Sequence, residues 1–268
     1  MNKQVSDVII NNQDLINNNE FQELYSRLHD TSYSKELTEI LLRAGIDPTS
    51  YFKSIPPYSY YESTLTDIKL SSNCKKIGEY AFFNSSIKSV NLDDVDEIGL
   101  KAFSYSEVMS ISLKHQCWIG LAAFNSCENL TRVEFLGKQT IPTYCFMNCS
   151  QLKNVKFNST FDLQSCSFYH CKSLENIDLE NCLSLSDKAL ADTAIKYVRI
   201  GEHCVFIADS VFKDCKNLKT ITIMSEDTQL SPNFWTNNFP VKINCYEHSL
   251  VFKQLSEMNN PFIHIDFL

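Results

Sequence analysis

The sequence predicts an α+β repeat solenoid, a stack of about nine short parallel strands with a helical N-terminal cap and a short C-terminal cap. Three observations carry this. A phenylalanine-centred pattern recurs at almost constant spacing, each period holds one segment with strand alternation, and the two flanks fall outside the pattern.

The anchors of the series are Phe82, Phe103, Phe124, Phe146, Phe168, Leu190, Phe212 and Phe234, with steps of 21, 21, 22, 22, 22, 22 and 22 residues. Other positions keep phase with them. Five residues before the anchor stands Ile77, Ile98, Ile119, Ile141, Leu163, Leu185 or Ile207, and the residue just before it is usually small, as at Ala81, Ala102 and Ala123. Gly78, Gly99 and Gly120 fall four before it, and Cys127, Cys149, Cys171 and Cys215 fall three after it.

After each anchor comes a segment of the form aliphatic-x-x-aliphatic-x-aliphatic, such as Leu130, Val133 and Phe135 or Leu152, Val155 and Phe157. Leu65, Ile68 and Leu70 supply one such segment ahead of the first anchor. Residues two apart share one side of a strand, so Val133 and Phe135 face inward while Arg132 and Glu134 face out. One unit has too few inward side chains to form a core, and only stacked units close one. The cysteines after the anchors then form a column of small buried hydrophobes that needs neither disulfide nor metal.

These units resemble leucine-rich repeats of the BspA-like subclass, whose repeat reads roughly I-G-x-x-A-F-x-x-C-x-x-L-x-x-V-x-L. IGEYAFFNSSIKSVNL (Ile77 to Leu92) and LTRVEFLGKQTIPTYCFMNCSQLKNVKF (Leu130 to Phe157) carry the match. Leu190 replaces the aromatic anchor, and Gln164, Ser186 and Ala208 replace the glycine. The resemblance covers about positions 63 to 247. It implies a binding or adhesion protein rather than an enzyme.

The domain reading is therefore a helical cap over 1–62, a solenoid of 21–22-residue units over 63–247 and a C-terminal cap over 248–268. In the first, Val5, Val8, Ile9, Leu15 and Ile16 suggest two short turns, and Phe21, Leu24, Tyr25 and Leu28 space as a helical face. Leu37, Ile40, Leu41 and Ala44 do so again, with Ser34 as the expected cap and Gly45 and Pro48 as stop signals. A partner-binding helical module is the alternative for this segment. At the other end INCYEHSL reads as the closing strand and turn, Ser249 to Met258 as a short helix, and PFIHIDFL as a final strand or apolar plug.

Composition narrows the function. A formal charge of −8, split as −4 over residues 1–62 and −4 over the rest, leaves no basic cluster for a nucleic-acid backbone. No run approaches the roughly 18 apolar residues of a membrane span. Eleven cysteines, an odd number, and a first thirty residues without a secretory pattern read as reduced thiols in a cytoplasmic protein.

There is no H-E-x-x-H, phosphate-binding glycine loop, G-x-S-x-G or C-x-x-C, so no catalytic residues and no cofactor are expected. His115 with Cys117, His170 with Cys171 and His203 with Cys204 are the candidate metal ligands. His115 and His203 lie four repeats apart, on the order of 20 Å at about 4.8 Å per strand, and His170 has a different phase, so no metal site is expected. Cys145 and Cys166 are read as packed thiols, not a redox pair.

What remains is the outward strand face. Its middle column reads Lys69, Asn91, Ser112, Glu134, Lys156, Asp178, Arg199 and Thr222, and the neighbouring column includes Arg132 and Tyr197. Glu134, Lys156, Asp178 and Arg199 should pair in sequence across adjacent strands. Arg132, Tyr197 and Arg199 are the expected contact residues, because aromatic and arginine side chains dominate interface energetics. The expected function is a non-catalytic protein-interaction module, monomeric, with a protein partner. The distribution of the family it resembles points to a virus- or mobile-element-encoded inhibitor of a host protein. The alternatives are self-assembly through the C-terminal strand and a Cys/His metal protein.

Overall fold

The computed structural model describes residues 2–28 and 30–268, and shows a parallel-strand solenoid of about ten turns with helices at its ends. Each full coil has three sides, and all three repeat the same backbone spacing.

The first side is a ladder of two- to four-residue strands: β1 (Ser54–Ile55), β2 (Lys76–Ile77), β3 (Glu97–Ile98), β5 (Trp118–Ile119), β7 (Gln139–Ile141), β9 (Phe161–Leu163), β10 (Cys182–Leu185), β12 (Phe206–Ile207) and β14 (Gln229–Leu230). It runs as two parallel sheets, β1-β2-β3-β5 and β7-β9-β10-β12-β14. Sequence reading found the phase of Ile77, Ile98 and their equivalents but not this ladder, since a two-residue strand shows no alternation. Between β5 and β7 the buried Gln139 replaces the missing ladder bonds. Its Oε1 accepts from the Cys117 N–H at 3.3 Å and its Nε2 donates to the Cys117 carbonyl.

The second side is the turn that carries the anchor. The N–H of the anchor, and those two residues before and after it, donate to carbonyls of the next coil: Tyr144, Phe146 and Asn148 to Ser165, Ser167 and Tyr169. Holding these donors parallel puts two residues per coil in the left-handed region, from Tyr58 and Glu62 to Ser210 and Asp214, and none of them is glycine. The anchor rings then stack. Tyr60, Phe82, Phe103, Phe124, Phe146 and Phe168 follow one another with centroids 5.0–5.4 Å apart and planes within 16°. Tyr60, inside the segment assigned to the N-terminal cap, is thus the first anchor, and the first coil starts at Ser54. Each anchor cysteine donates its thiol to the carbonyl of the preceding coil's anchor, Cys127 to Phe103 at 3.0 Å and Cys149 to Phe124 at 3.2 Å. Cys171 and Cys215 do the same to Phe146 and Leu190, both at 3.1 Å.

The third side holds longer strands: β4 (Ser110–Leu113), β6 (Arg132–Phe135), β8 (Asn154–Phe157), β11 (Tyr197–Ile200), β13 (Thr220–Ile223), β15 (Val241–Cys245) and β16 (Ile263–Phe267). They form two parallel sheets, β4-β6-β8 and β11-β13-β15-β16. The expected strands around Ile68, Val90 and Ile177 do not form. Only the isolated bridges Asp67↔Ser89 and Leu179↔Ile200 mark their places.

Glycine is required where coils approach most closely. A Cβ on Gly120 would lie 2.6 Å from the backbone of Gly99 and Leu100, and one on Gly201 would lie 1.8 Å from the Glu180 carbonyl oxygen.

The ends are finished by helices. Residues of α1 (Lys3–Asn11), α3 (Phe21–Ser26) and α4 (Ser34–Arg43), with α2 (Gln13–Asn17) between the first two, put Val5, Phe21, Leu24, Tyr25, Leu37 and Leu41 into the same core as the stack. Ser34 is the first residue of α4 rather than its cap, and no side chain caps that helix. Asn2 caps α1. The Tyr60 hydroxyl bonds Thr49 at 2.5 Å and ties the first coil to the residues before it. At the far end α5 (Leu250–Met258) begins at Ser249, whose hydroxyl accepts from the Phe252 N–H. From α5, Gln254 accepts from the Leu230 N–H at 2.9 Å and donates to the Leu230 carbonyl at 3.2 Å, so an amide side chain stands in for the next strand beside β14.

Two substitutions separate these contributions. Phe124→Ala removes a ring stacked on both faces and should lower unfolding free energy by about 3–5 kcal/mol in denaturant titration. Gln254→Ala leaves one donor and one acceptor of Leu230 without partners and should lower it by about 1–3 kcal/mol.

Candidate functional site

Beyond β8 the third side opens into a groove. In β8 the even-numbered residues bond to β6, as Asn154 N–H to the Thr131 carbonyl and Asn158 N–H to the Phe135 carbonyl show, so the N–H and C=O groups of Val155 and Phe157 point to the next coil. That coil's segment, Asn176 to Asp178, makes no ladder with β8, and pairing resumes only at Leu179↔Ile200. The opening is a groove of about 430 Å³ lined by Arg132, Asn154, Lys156 and Asp178 over a floor of Val155 and Ile177.

Irregularities gather next to this segment. The following anchor is Leu190, where the ring stack ends, and the strand between them, β10, slips in register against β9 between Cys182 and Ser184. The Glu180 carbonyl is pressed against Gly201.

The residues expected on the face surround this groove, with different pairings. Glu134 accepts from Arg132 at 3.0 Å and from Lys156 at 3.1 Å. These hydrogen bonds, Lys156 first, hold its carboxyl below the usual glutamate range. Of the expected run from Glu134 to Arg199, only Glu134 with Lys156 forms. Asp178 turns back to accept the Glu180 N–H at 2.9 Å, and Arg199 bonds Glu180 at 2.9 Å instead. The cause is the missing ladder, since without strand pairing Asp178 is not held beside Lys156. Tyr197 is exposed at the start of β11 beyond the gap. Nothing in the sequence marked the gap itself, because Leu174, Ile177 and Leu179 repeat the strand pattern faithfully.

The histidines are paired locally. His115 bonds Asp96 of the preceding coil at 2.8 Å, and His170 bonds Asp192 of the following one. Among the described residues no three His, Cys, Asp or Glu side chains come together to hold a metal ion. All eleven cysteines are free thiols, and every one except the half-exposed Cys166 is buried. Burial pushes the Cys204 thiol up to about 11 and the Cys117 thiol to about 12, so their reactive thiolates are suppressed at neutral pH. Among the described residues no helix is long and apolar enough to cross a membrane.

The chain matches the family model described as BspA type leucine rich repeat region, in six copies, over residues 53–162 and 119–242. Among solved structures it is similar to a leucine-rich repeat protein from Bacteroides ovatus at 16% identity, covering 80% of this chain and 87% of that one with a TM-score of 0.45. It is also similar to the pneumococcal vaccine antigen PcpA at 13% identity, covering 80% and 84% with a TM-score of 0.38. No curated protein matches.

Thiol accessibility checks the packing. In native protein near pH 8 an alkylating reagent should modify Cys166 alone and in denaturant all eleven cysteines, with Cys166→Ser abolishing native labelling; mass spectrometry counts the adducts.

Proposed function

The chain belongs to the BspA-type leucine-rich repeat family, and from that premise we propose that it is a non-catalytic protein-interaction module that receives an extended segment of a partner protein at the opening beside β8. The family is one of repeat scaffolds and is generally non-catalytic. One observation carries the choice of surface. Val155 directs its backbone donor and acceptor into the groove, and Phe157 directs its own along the same unpaired edge, where the repeat would otherwise supply a strand. Added strands bind through such unpaired backbone groups and take their specificity from flanking side chains.

The flanks offer both signs of charge, Arg132 and Lys156 on one wall and Asp178 on the other, with Tyr197 and Arg199 beyond. A partner taken from a host cell, as the inhibitor reading has it, is one instance of this and shares its test.

Selection from a displayed library of random peptides is that test. Peptides bound at the opening should slow amide exchange at Val155 and Phe157. Val155→Pro removes one groove-facing N–H and leaves the bonds to β6 in place, so it should weaken binding about tenfold or more, with circular dichroism confirming the fold. Selected peptides that bind Val155→Pro and Arg132→Ala as tightly as the parent would put the binding surface elsewhere.

A further inference from the structure

At the C-terminal end of the stack two of the three sides are finished by amide side chains. Gln254 completes β14, as above. On the turn side Asn237 donates to the Phe212 carbonyl at 3.0 Å and accepts from the Asp214 N–H at 2.8 Å, and Asn260 donates to the Trp235 carbonyl at 3.3 Å. The third side ends in β16, and among the described residues nothing pairs with its outer edge.

The chemistry of that edge is specific. Val241 N–H donates to the Phe262 carbonyl and Leu268 N–H to the Cys245 carbonyl, which gives the even-numbered residues of β16 to β15. The free edge therefore presents both backbone groups of Ile265 and Phe267, and the carbonyl of Ile263, whose N–H is taken by Asn260. Side chains divide the same way: Ile263 and Ile265 pack against the core, Phe267 lies half-exposed against the Phe252 ring at 5.2 Å, and His264 and Asp266 stand on the outer face.

We propose that β16 is a dimerisation edge, pairing antiparallel with β16 of a second copy about a two-fold axis through Ile265. Charge selects this register. Centring on Ile265 places each His264 opposite Asp266 of the other copy, so imidazole and carboxylate meet twice. Centring on the neighbouring residues sets His264 against its own copy or Asp266 against its own copy. The chosen register also fits the backbone. The two Ile265 residues exchange both of their bonds, and each Phe267 N–H reaches the Ile263 carbonyl across the axis, giving four hydrogen bonds with no clash at the occupied Ile263 N–H. Ile265 meets Ile265 and Ile263 meets Phe267 on the inner face, and the four-stranded sheet of each copy joins into one of eight. Lys242, which pairs with Asp266 within the chain, flanks the charged face. An isologous contact of this kind closes at two copies.

Sedimentation velocity on the full chain, from micromolar to millimolar concentration, tests this apart from the strand-face reading. A monomer–dimer equilibrium is expected. Ile265→Pro removes an edge-facing N–H without touching the bonds to β15 and should leave only monomer. His264→Asp should weaken the dimer about tenfold by opposing like charges, and His264→Asp with Asp266→His should restore it. A monomer throughout, a dimer indifferent to Ile265→Pro, or failure of the double exchange to restore association would overturn the proposal.

Discussion

The structure depends on one distance being the same on every side of the coil. Strands stack at about 4.8 Å, the anchor rings stack at 5.0–5.4 Å, and the turn backbones hydrogen-bond across the same step. That is why the period holds at 21–22 and why the anchors are planar rings, which tolerate stacking at this distance on both faces. The small residues before the anchors and the glycines where backbones meet answer the same demand.

Next to the replaced ring the repeat is irregular on all three sides. The coil anchored by Leu190 ends the ring column and slips its register at Cys182 and Ser184, directly after the Asn176 to Asp178 segment that leaves the outer edge of β8 without a partner. The surface that distinguishes this chain from a uniform solenoid is thus a departure from its own repeat. The candidate contact residues Arg132, Lys156 and Asp178 gain a groove from it, and lose the orderly charge pairing that an unbroken ladder would have given them.

Much of the fold was legible because columns impose repetition, and repetition is what a sequence displays. The anchors, the thiol column after them, the α4 and α5 helices and the strand at Ile263–Phe267 all follow from spacing. The first-side ladder was hidden because strands such as Lys76–Ile77 are too short to alternate. Tyr60 escaped notice because it precedes the repeats that define the phase. Gln139 and Gln254 act as single amides in place of a strand, and an unrepeated residue leaves no periodic trace. The opening at Asn176 to Asp178 was invisible for the opposite reason: its sequence obeys the pattern that its backbone does not.

The left-handed residues of the turns bear on how such a chain can change over evolutionary time. Eight coils place two each, sixteen in all, in a conformation that costs an L side chain about 1–2 kcal/mol. Glycine would relieve that strain at an entropic cost of about 0.5–1 kcal/mol, and asparagine, already used at Asn84 and Asn148, tolerates it well. The solenoid therefore holds a reserve of stability on its turns, at the positions two residues to either side of each anchor. A lineage could draw on it, one turn at a time, to offset destabilising changes on the strand face while a new partner is acquired.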